Sequence, residues 1–273
     1  MALTITAKEP STTRLVQAES GGHWYSENGE SAHVVIGKNG KERNTTVADA
    51  RKMGLLPSVT SVQSILEKPQ LTAWKISTAV ESALTLPKEE NETLEEYARR
   101  VVEDSKAQTK KAAEHGTAVH TEMENILLGR SCSTDEVLKP YIQTFRKWAS
   151  ENVEKTHWCE RALVGPGYAG RCDAYVRLKG IGDAIIDLKN RKVNKKYSTP
   201  HYPTDAQQLW AYRNASENPK CACVSVVLAS NDPEYIVHHH WDEDELYQAG
   251  IAFCAMQKVW SWVKGYTPPG MKL

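Results

Sequence analysis

The chain has no net charge: 34 Lys and Arg balance 34 Asp and Glu over 273 residues. A molecule without a net field is not drawn as a whole to a polyanion, so any nucleic-acid surface has to be local. Long apolar runs are also missing. No uncharged stretch approaches the roughly 18 residues of a membrane span, and "MALTITAKEPSTTRL" has no basic region followed by an apolar one. A soluble, cytoplasmic protein with no membrane partner is expected. The six cysteines, at 132, 159, 172, 221, 223 and 254, include no Cys-x-x-Cys pair. That argues against a structural zinc site and against an iron-sulfur cluster. A chain this long needs no disulfide framework, and Cys172, Cys223 and Cys254, each in an apolar stretch, read as small buried residues. Internal repeats and low-complexity tracts are absent as well.

What is present is an ordered series of turn-rich, helical and strand-like patterns. Residues 1–56 are polar, with Gly21-Gly22, Asn28-Gly29 and Asn39-Gly40 separating short stretches such as "HVVIG". They predict a β-hairpin extension on a core domain over 57–273. "PSVTSVQSILEKP" opens a helix, with Thr60 and Gln63 at capping-box spacing, and "QLTAWKISTAVESAL" continues as a second helix that stops before Pro87. The five acids of "EENETLEE" read as a solvated first turn of a long helix running to Gly129, where negative charge suits the helix dipole. A helix over 136–150 precedes a strand-rich section from 157 to 189. Then follow a helix near 205–216, the strands "CACVSVVLA" and "EYIVHHHW", and a closing helix over 242–264. The fold class is α/β, a small mixed sheet with helices on both sides.

One strand pair raises a chemical question. In "GRCDAYVRLKGIGDAIIDLKNRK" the strand period of two turns Asp187 and Lys189 to one face and Ile186 and Leu188 to the other. If residues 179–183 form the hairpin loop, Leu178 faces Ala184, Lys189 faces Asp173, and Asp187 is the diagonal neighbour of Asp173. Two such carboxylates repel unless they share a cation. A hard divalent ion resolves the conflict: Mg2+, with Mn2+ able to substitute, accepts oxygen ligands and leaves positions for water and phosphate. Lys189 could orient or help deprotonate a metal-bound water, or neutralise a phosphate. By spacing alone the D-x-K could equally be an exposed ion pair on an edge hairpin.

Further residues favour the cation. Gly116, His120 and Glu124 follow at four-residue steps on one helix face, where the glycine would admit another backbone and His120 could supply a nitrogen ligand. Gln208 and Tyr212 share one face of a later helix. The run "KNRKVNKK" holds five cations, among them Arg191, Lys192, Lys195 and Lys196, suited to phosphates. Tyr197 and Tyr202 beside it could stack on bases. The adjacent His238, His239 and His240 alternate faces and cannot all reach one ion.

G-T-x-x-H on a helix, G-R-x-D on a strand, D-x-K on the next and Q-x-x-x-Y on the following helix occur here in the order seen in RecB-type nucleases of the PD-(D/E)XK superfamily. The chain resembles that family over about 116–212, and "LPSVTSVQSILEKPQLTAW" resembles the entry segment of phage-encoded members and of mitochondrial genome maintenance exonuclease. The resemblance implies a restriction-endonuclease-like core and a Mg2+-dependent deoxyribonuclease that digests DNA from its ends in recombination, repair or degradation. It implies metal ligation by His120, Asp173, Asp187 and the Leu188 carbonyl, with Asp173, Asp187 and Lys189 catalytic. It places Gln208 and Tyr212 against the nucleic-acid strand, and Glu124 and Glu160 behind the ligands or at a second ion. DNA is the implied partner, and a recombination protein or a second copy of the chain is compatible with the family. The Cys set of the family's iron-sulfur members is missing, so no cluster is expected. Two rival readings are a nucleic-acid-binding protein on a retired nuclease fold and a restriction-type endonuclease.

Overall fold

The computed structural model describes residues 22–194, 196 and 200–272, apart from the side chain of Gln70. Gly21, Lys195 and Tyr197, named above, lie outside the described residues. In chain order the elements are β1 (Trp24–Tyr25), β2 (Val34–Ile36), β3 (Glu42–Asn44), α1 (Val47–Met53), β4 (Leu56–Pro57), α2 (Val59–Gln63), α3 (Pro69–Thr85) and α4 (Leu94–Leu127). Then come α5 (Lys139–Asn152), β5 (Val153–Gly165), β6 (Tyr168–Leu178), β7 (Gly182–Arg191), α6 (Pro203–Ala215), β8 (Ala222–Ala229), β9 (Ile236–Trp241) and α7 (Glu243–Lys264).

A five-stranded mixed sheet in the order β5-β6-β7-β8-β9 organises the chain. Only β7 and β8 run parallel, joined through α6 as a crossover must be, and the other neighbours are antiparallel. The strand period sorts the core into two layers. Ala174, Val176, Ala184, Ile186 and Leu188 pack with α4 and α5, whereas Ile185 and Cys223 pack with α2, α6 and α7. Among the described residues no helix is long and apolar enough to cross a membrane.

The described part of the N-terminal segment holds a local hairpin, β2 with β3, turned at Gly40, whose φ of 74° suits a residue without a Cβ, and a shorter antiparallel turn at Asn28–Gly29 that brings Tyr25 to Ser31. The pair β1–β4 is not local. Trp24 packs against Trp260 and Tyr266, and Tyr25 and Leu56 close over Ala169 of β6. Helix α1, unread from the sequence, starts at a capping box between Thr46 and Asp49. The α2 cap is Ser58, which accepts the Ser61 N–H, rather than Thr60. Buried Gln63 donates to the Thr204 carbonyl and so ties α2 to the start of α6. The α4 cap is Thr93, with Glu95 and Glu96 in the first turn. Glu92 lies before it and pairs with Arg100 at 2.7 Å. Cys172 and Cys223 are fully buried, but Cys254 is exposed, because the helical period turns it to the solvent side of α7 between Ile251 and Lys258.

Candidate metal centre

The β6–β7 register differs from expectation by two residues. Leu178 pairs with Gly182, not Ala184, because Gly180 and Gly182 take φ of 74° and 98° and allow a loop of only 179–181. The ladder runs from there to Ala174↔Ile186 and ends. The next two residues are Asp173 and Asp187, directly across rather than diagonal. From this point β6 pairs with β5 and β7 with β8, leaving a fork between them. The Asp173 carboxylate reaches into that fork and accepts the Leu188 N–H at 2.6 Å. The exposed-ion-pair reading of the D-x-K fails here: β7 is the middle strand, and Asp187 is 1% exposed.

Both strands invert at the same level. On β5, Trp158 and Leu163 pack in the α6 layer although they are five apart, and on β6, Cys172 and Tyr175 do so although they are three apart. Regular alternation forbids odd spacings on one face. The inversion lies between Cys159↔Ala174 and Arg161↔Cys172, at Glu160 and Asp173. Glu160 has φ 52°, the only positive value at a non-glycine among the described residues. This left-handed conformation costs on the order of 1 kcal/mol or more and turns the Glu160 carboxylate toward α4.

There it meets His120. Nε2 of the imidazole lies 3.4 Å from Asp173 Oδ2, and Nδ1 lies 3.7 Å from Glu160 Oε1. His120, Glu160 and Asp173 each offer a ligand atom within 4.8 Å of the others, a group able to hold a metal ion. A groove of about 530 Å³ leads to it along α4, past Gly116, Thr117 and Glu124. Gly116 has open space where a Cβ would stand, so it widens this groove instead of admitting a neighbouring protein backbone. Glu124 lines the groove and pairs with Arg130 at 3.2 Å.

Beside the triad lies a second charged unit. Lys189 Nζ donates to Asp187 Oδ1 at 2.7 Å and to Gln208 Oε1 at 3.3 Å, and Gln208 Nε2 donates to the Tyr212 hydroxyl at 3.2 Å. Gln208 and Tyr212, expected against a nucleic-acid strand, are buried, with their polar groups turned to this chain of hydrogen bonds. Gly170, the glycine of G-R-x-D, makes room for it: a Cβ there would stand 3.0 Å from the Tyr212 ring. Arg191 pairs with buried Asp205 at 2.9 Å and covers Tyr202 at 4.6 Å, pinning the start of α6. Of the expected phosphate-binding cations, Lys192 and Lys196 are exposed. His238 accepts the Trp148 indole N–H while His239 faces Glu245, so these neighbours do point to opposite faces.

The electrostatics are those of an excess of buried negative charge. Burial pushes the Asp187 carboxyl up to about 7, against the attraction of Lys189 and with the repulsion of Asp173 and Asp205. Burial also raises Glu160, helped by Asp173. For Asp173, burial opposes ionisation, but the His120 hydrogen bond, Lys189 and the Leu188 N–H outweigh it and hold the carboxyl below its usual range. Burial disfavours the charged forms of His120 and Lys189, yet the surrounding carboxylates raise both. Asp187 Oδ2 is buried without a hydrogen-bond partner. An orphaned carboxylate oxygen beside three convergent ligand atoms fits a divalent cation, which would supply the missing positive charge.

No family model matches this chain. No curated protein matches it either. Two solved structures are similar to it at low levels. One, SSO0001, is 16% identical, with 68% of this chain and 86% of that one covered at a TM-score of 0.27. The other, LHK-Exo in complex with dAMP, is 13% identical, with 69% and 88% covered at a TM-score of 0.31. Likenesses of this depth carry no argument, so the functional reading rests on the residues themselves. Glu160 is the residue whose importance sequence reasoning understated. No pattern in the sequence marks it, because only the packed strand shows Trp158 and Leu163, five residues apart, in one layer.

Proposed function

We propose that the protein is a metal-dependent deoxyribonuclease of the RecB type within the PD-(D/E)XK superfamily, acting from DNA ends. The observation that carries this reading is the fork: His120, Glu160 and Asp173 converge where β6 and β7 part, next to a buried Asp187–Lys189 pair with one unpartnered carboxylate oxygen.

In this reading His120, Asp173 and Asp187 hold Mg2+, with the Leu188 carbonyl and Glu160 as further oxygen donors, and Mn2+ substitutes. The ion, when bound, lowers the pKa of a coordinated water and neutralises charge on the phosphate. The chain's own groups do the rest. Lys189, held as an ammonium by the carboxylates around it, is positioned to stabilise negative charge on the phosphate rather than to accept a proton. Gln208 and Tyr212 fix the Lys189 amine, and through the packing of Tyr212 on Gly170 they tie it to β6. The groove along α4 admits the substrate, and Lys192, Lys195 and Lys196 beyond β7 neutralise neighbouring phosphates.

End-labelled linear DNA and covalently closed circles, each with Mg2+, Mn2+ or EDTA, test the reading. Shortening of the linear DNA with either metal, with persistence of the circles and silence in EDTA, is expected. Rapid linearisation of the circles leaves a nuclease but removes the exonuclease. Binding without cleavage under every metal condition favours the retired-nuclease alternative.

A further inference from the structure

A cavity of about 390 Å³ lies on the α6 side of the same strand inversion, walled by Trp158, Arg161 and Leu163 of β5, Tyr175 of β6 and the Glu217–Asn218 turn. Trp158 and Arg161 are three apart, a spacing that a regular strand sends to opposite faces. Left-handed Glu160 between them puts both on one face, where the guanidinium lies 5.7 Å from the centre of the Trp158 ring system. The conformation that aims Glu160 at His120 therefore also builds this aromatic wall. Tyr175, the ladder partner of Trp158, lies 5.6 Å from it at 38°, and His157 stacks on Tyr175 at 4.7 Å. The rim is polar and held in place: Arg161 reaches Glu217 at 2.7 Å, and Asn218 Nδ2 donates to the Tyr175 hydroxyl at 3.2 Å.

We infer that this cavity is a base-stacking subsite, taking one unpaired nucleobase from a single-stranded or frayed DNA end against the Trp158 and Tyr175 rings, beside Arg161, while a phosphate further along the same strand lies at the triad. The inference rests on the nuclease reading and specifies its substrate. Unstacked bases bind to aromatic faces and to guanidinium planes, and the wall offers both, in the Trp158 and Tyr175 rings and in the Arg161 guanidinium at its rim. The volume is at the small end of ligand cavities, with room for one ring system rather than a base pair. Trp158 is two residues along the strand from Glu160, roughly 7 Å along the backbone, with its side chain on the opposite face of the sheet. Because β5 is the edge of the sheet, a strand end can pass around it from the triad to the cavity. A duplex interior offers no free base face, so the subsite selects for single-stranded ends.

The test reads binding in EDTA, where cleavage is blocked, from the anisotropy of an end-labelled single-stranded oligodeoxynucleotide of about 12 residues, within the span such sites cover. Full-length wild type, Trp158→Ala and Trp158→Phe are compared, each also with oligonucleotides carrying one abasic position in turn. The expected result is a roughly ten-fold or greater loss for Trp158→Ala, most of it restored by Trp158→Phe. One abasic position reproduces that loss in wild type and adds nothing in Trp158→Ala. If no abasic position weakens wild-type binding, or if the same positions matter equally in both proteins, the subsite is overturned and the nuclease reading stands. If wild type neither binds the oligonucleotide nor cleaves it with Mg2+ or Mn2+, both fall together.

Discussion

Replacing Asp187 by Asn tests whether the site is built for a cation at the expense of the fold. The side chain is 1% exposed, with Oδ1 on Lys189 and Oδ2 without a partner. Its pKa rises from an ordinary 3.8 to about 7 on folding. A group whose folded pKa is raised contributes stability that is fully present below the unfolded value and is lost as pH climbs through the folded one. At pH 8 the ionised carboxylate therefore costs the metal-free protein on the order of a few kcal/mol, the scale on which a buried and incompletely paired charge destabilises a fold. Asn escapes that cost but gives Lys189 a weaker acceptor, which leaves a net gain of about 2 kcal/mol. For a chain of this size, that raises the melting temperature by about 4–8 °C. Thermal unfolding of both proteins in EDTA at pH 5 and pH 8, then with excess Mg2+, measures it. The variant should melt higher at pH 8, match wild type at pH 5, and gain less than wild type from Mg2+. A variant that melts below wild type at pH 8 in EDTA would refute the buried-charge argument.

Four other substitutions probe separate parts of the site. Lys189→Ala should retain the fold by circular dichroism and still bind DNA, yet lose cleavage by two orders of magnitude or more, on the scale of other electrostatic contacts to a transition state. His120→Ala should weaken Mn2+ binding by calorimetry far more than the combined His238→Ala, His239→Ala and His240→Ala protein, since only His120 faces Asp173 and Glu160. Glu160→Gly should stabilise the metal-free fold by about 1 kcal/mol in urea titrations, by relieving the left-handed strain, while reducing metal affinity. Unchanged metal affinity would remove Glu160 from the ligand set. Gly170→Ala should displace Tyr212 and, through Gln208, the Lys189 amine, so that cleavage falls more than stability; equal losses in both would mean that Gly170 only packs.

Much of this architecture follows from local pattern. The period of two in "AIIDLK" and the period of 3.6 around Gly116, His120 and Glu124 report which way each side chain points within its own element. They marked the strand-rich section, the two later sheet strands and the described helices other than α1 in order, and put Asp187 and Lys189 together on one face. Periodicity says nothing about where neighbouring strands meet. Two glycines able to take positive φ shortened the β6–β7 loop, moved the register by two residues and set Asp173 across from Asp187. The role of Glu160 was likewise beyond pattern, because it depends on one strained backbone angle at the level where β5 and β6 both reverse. Nor does the residue type of Gln208, Tyr212 or Arg191 reveal whether its polar group meets solvent or a buried partner. Burial is a property of everything packed around a residue, and so the tertiary structure alone decided that Gln208 and Tyr212 hold Lys189 and that Arg191 holds Asp205.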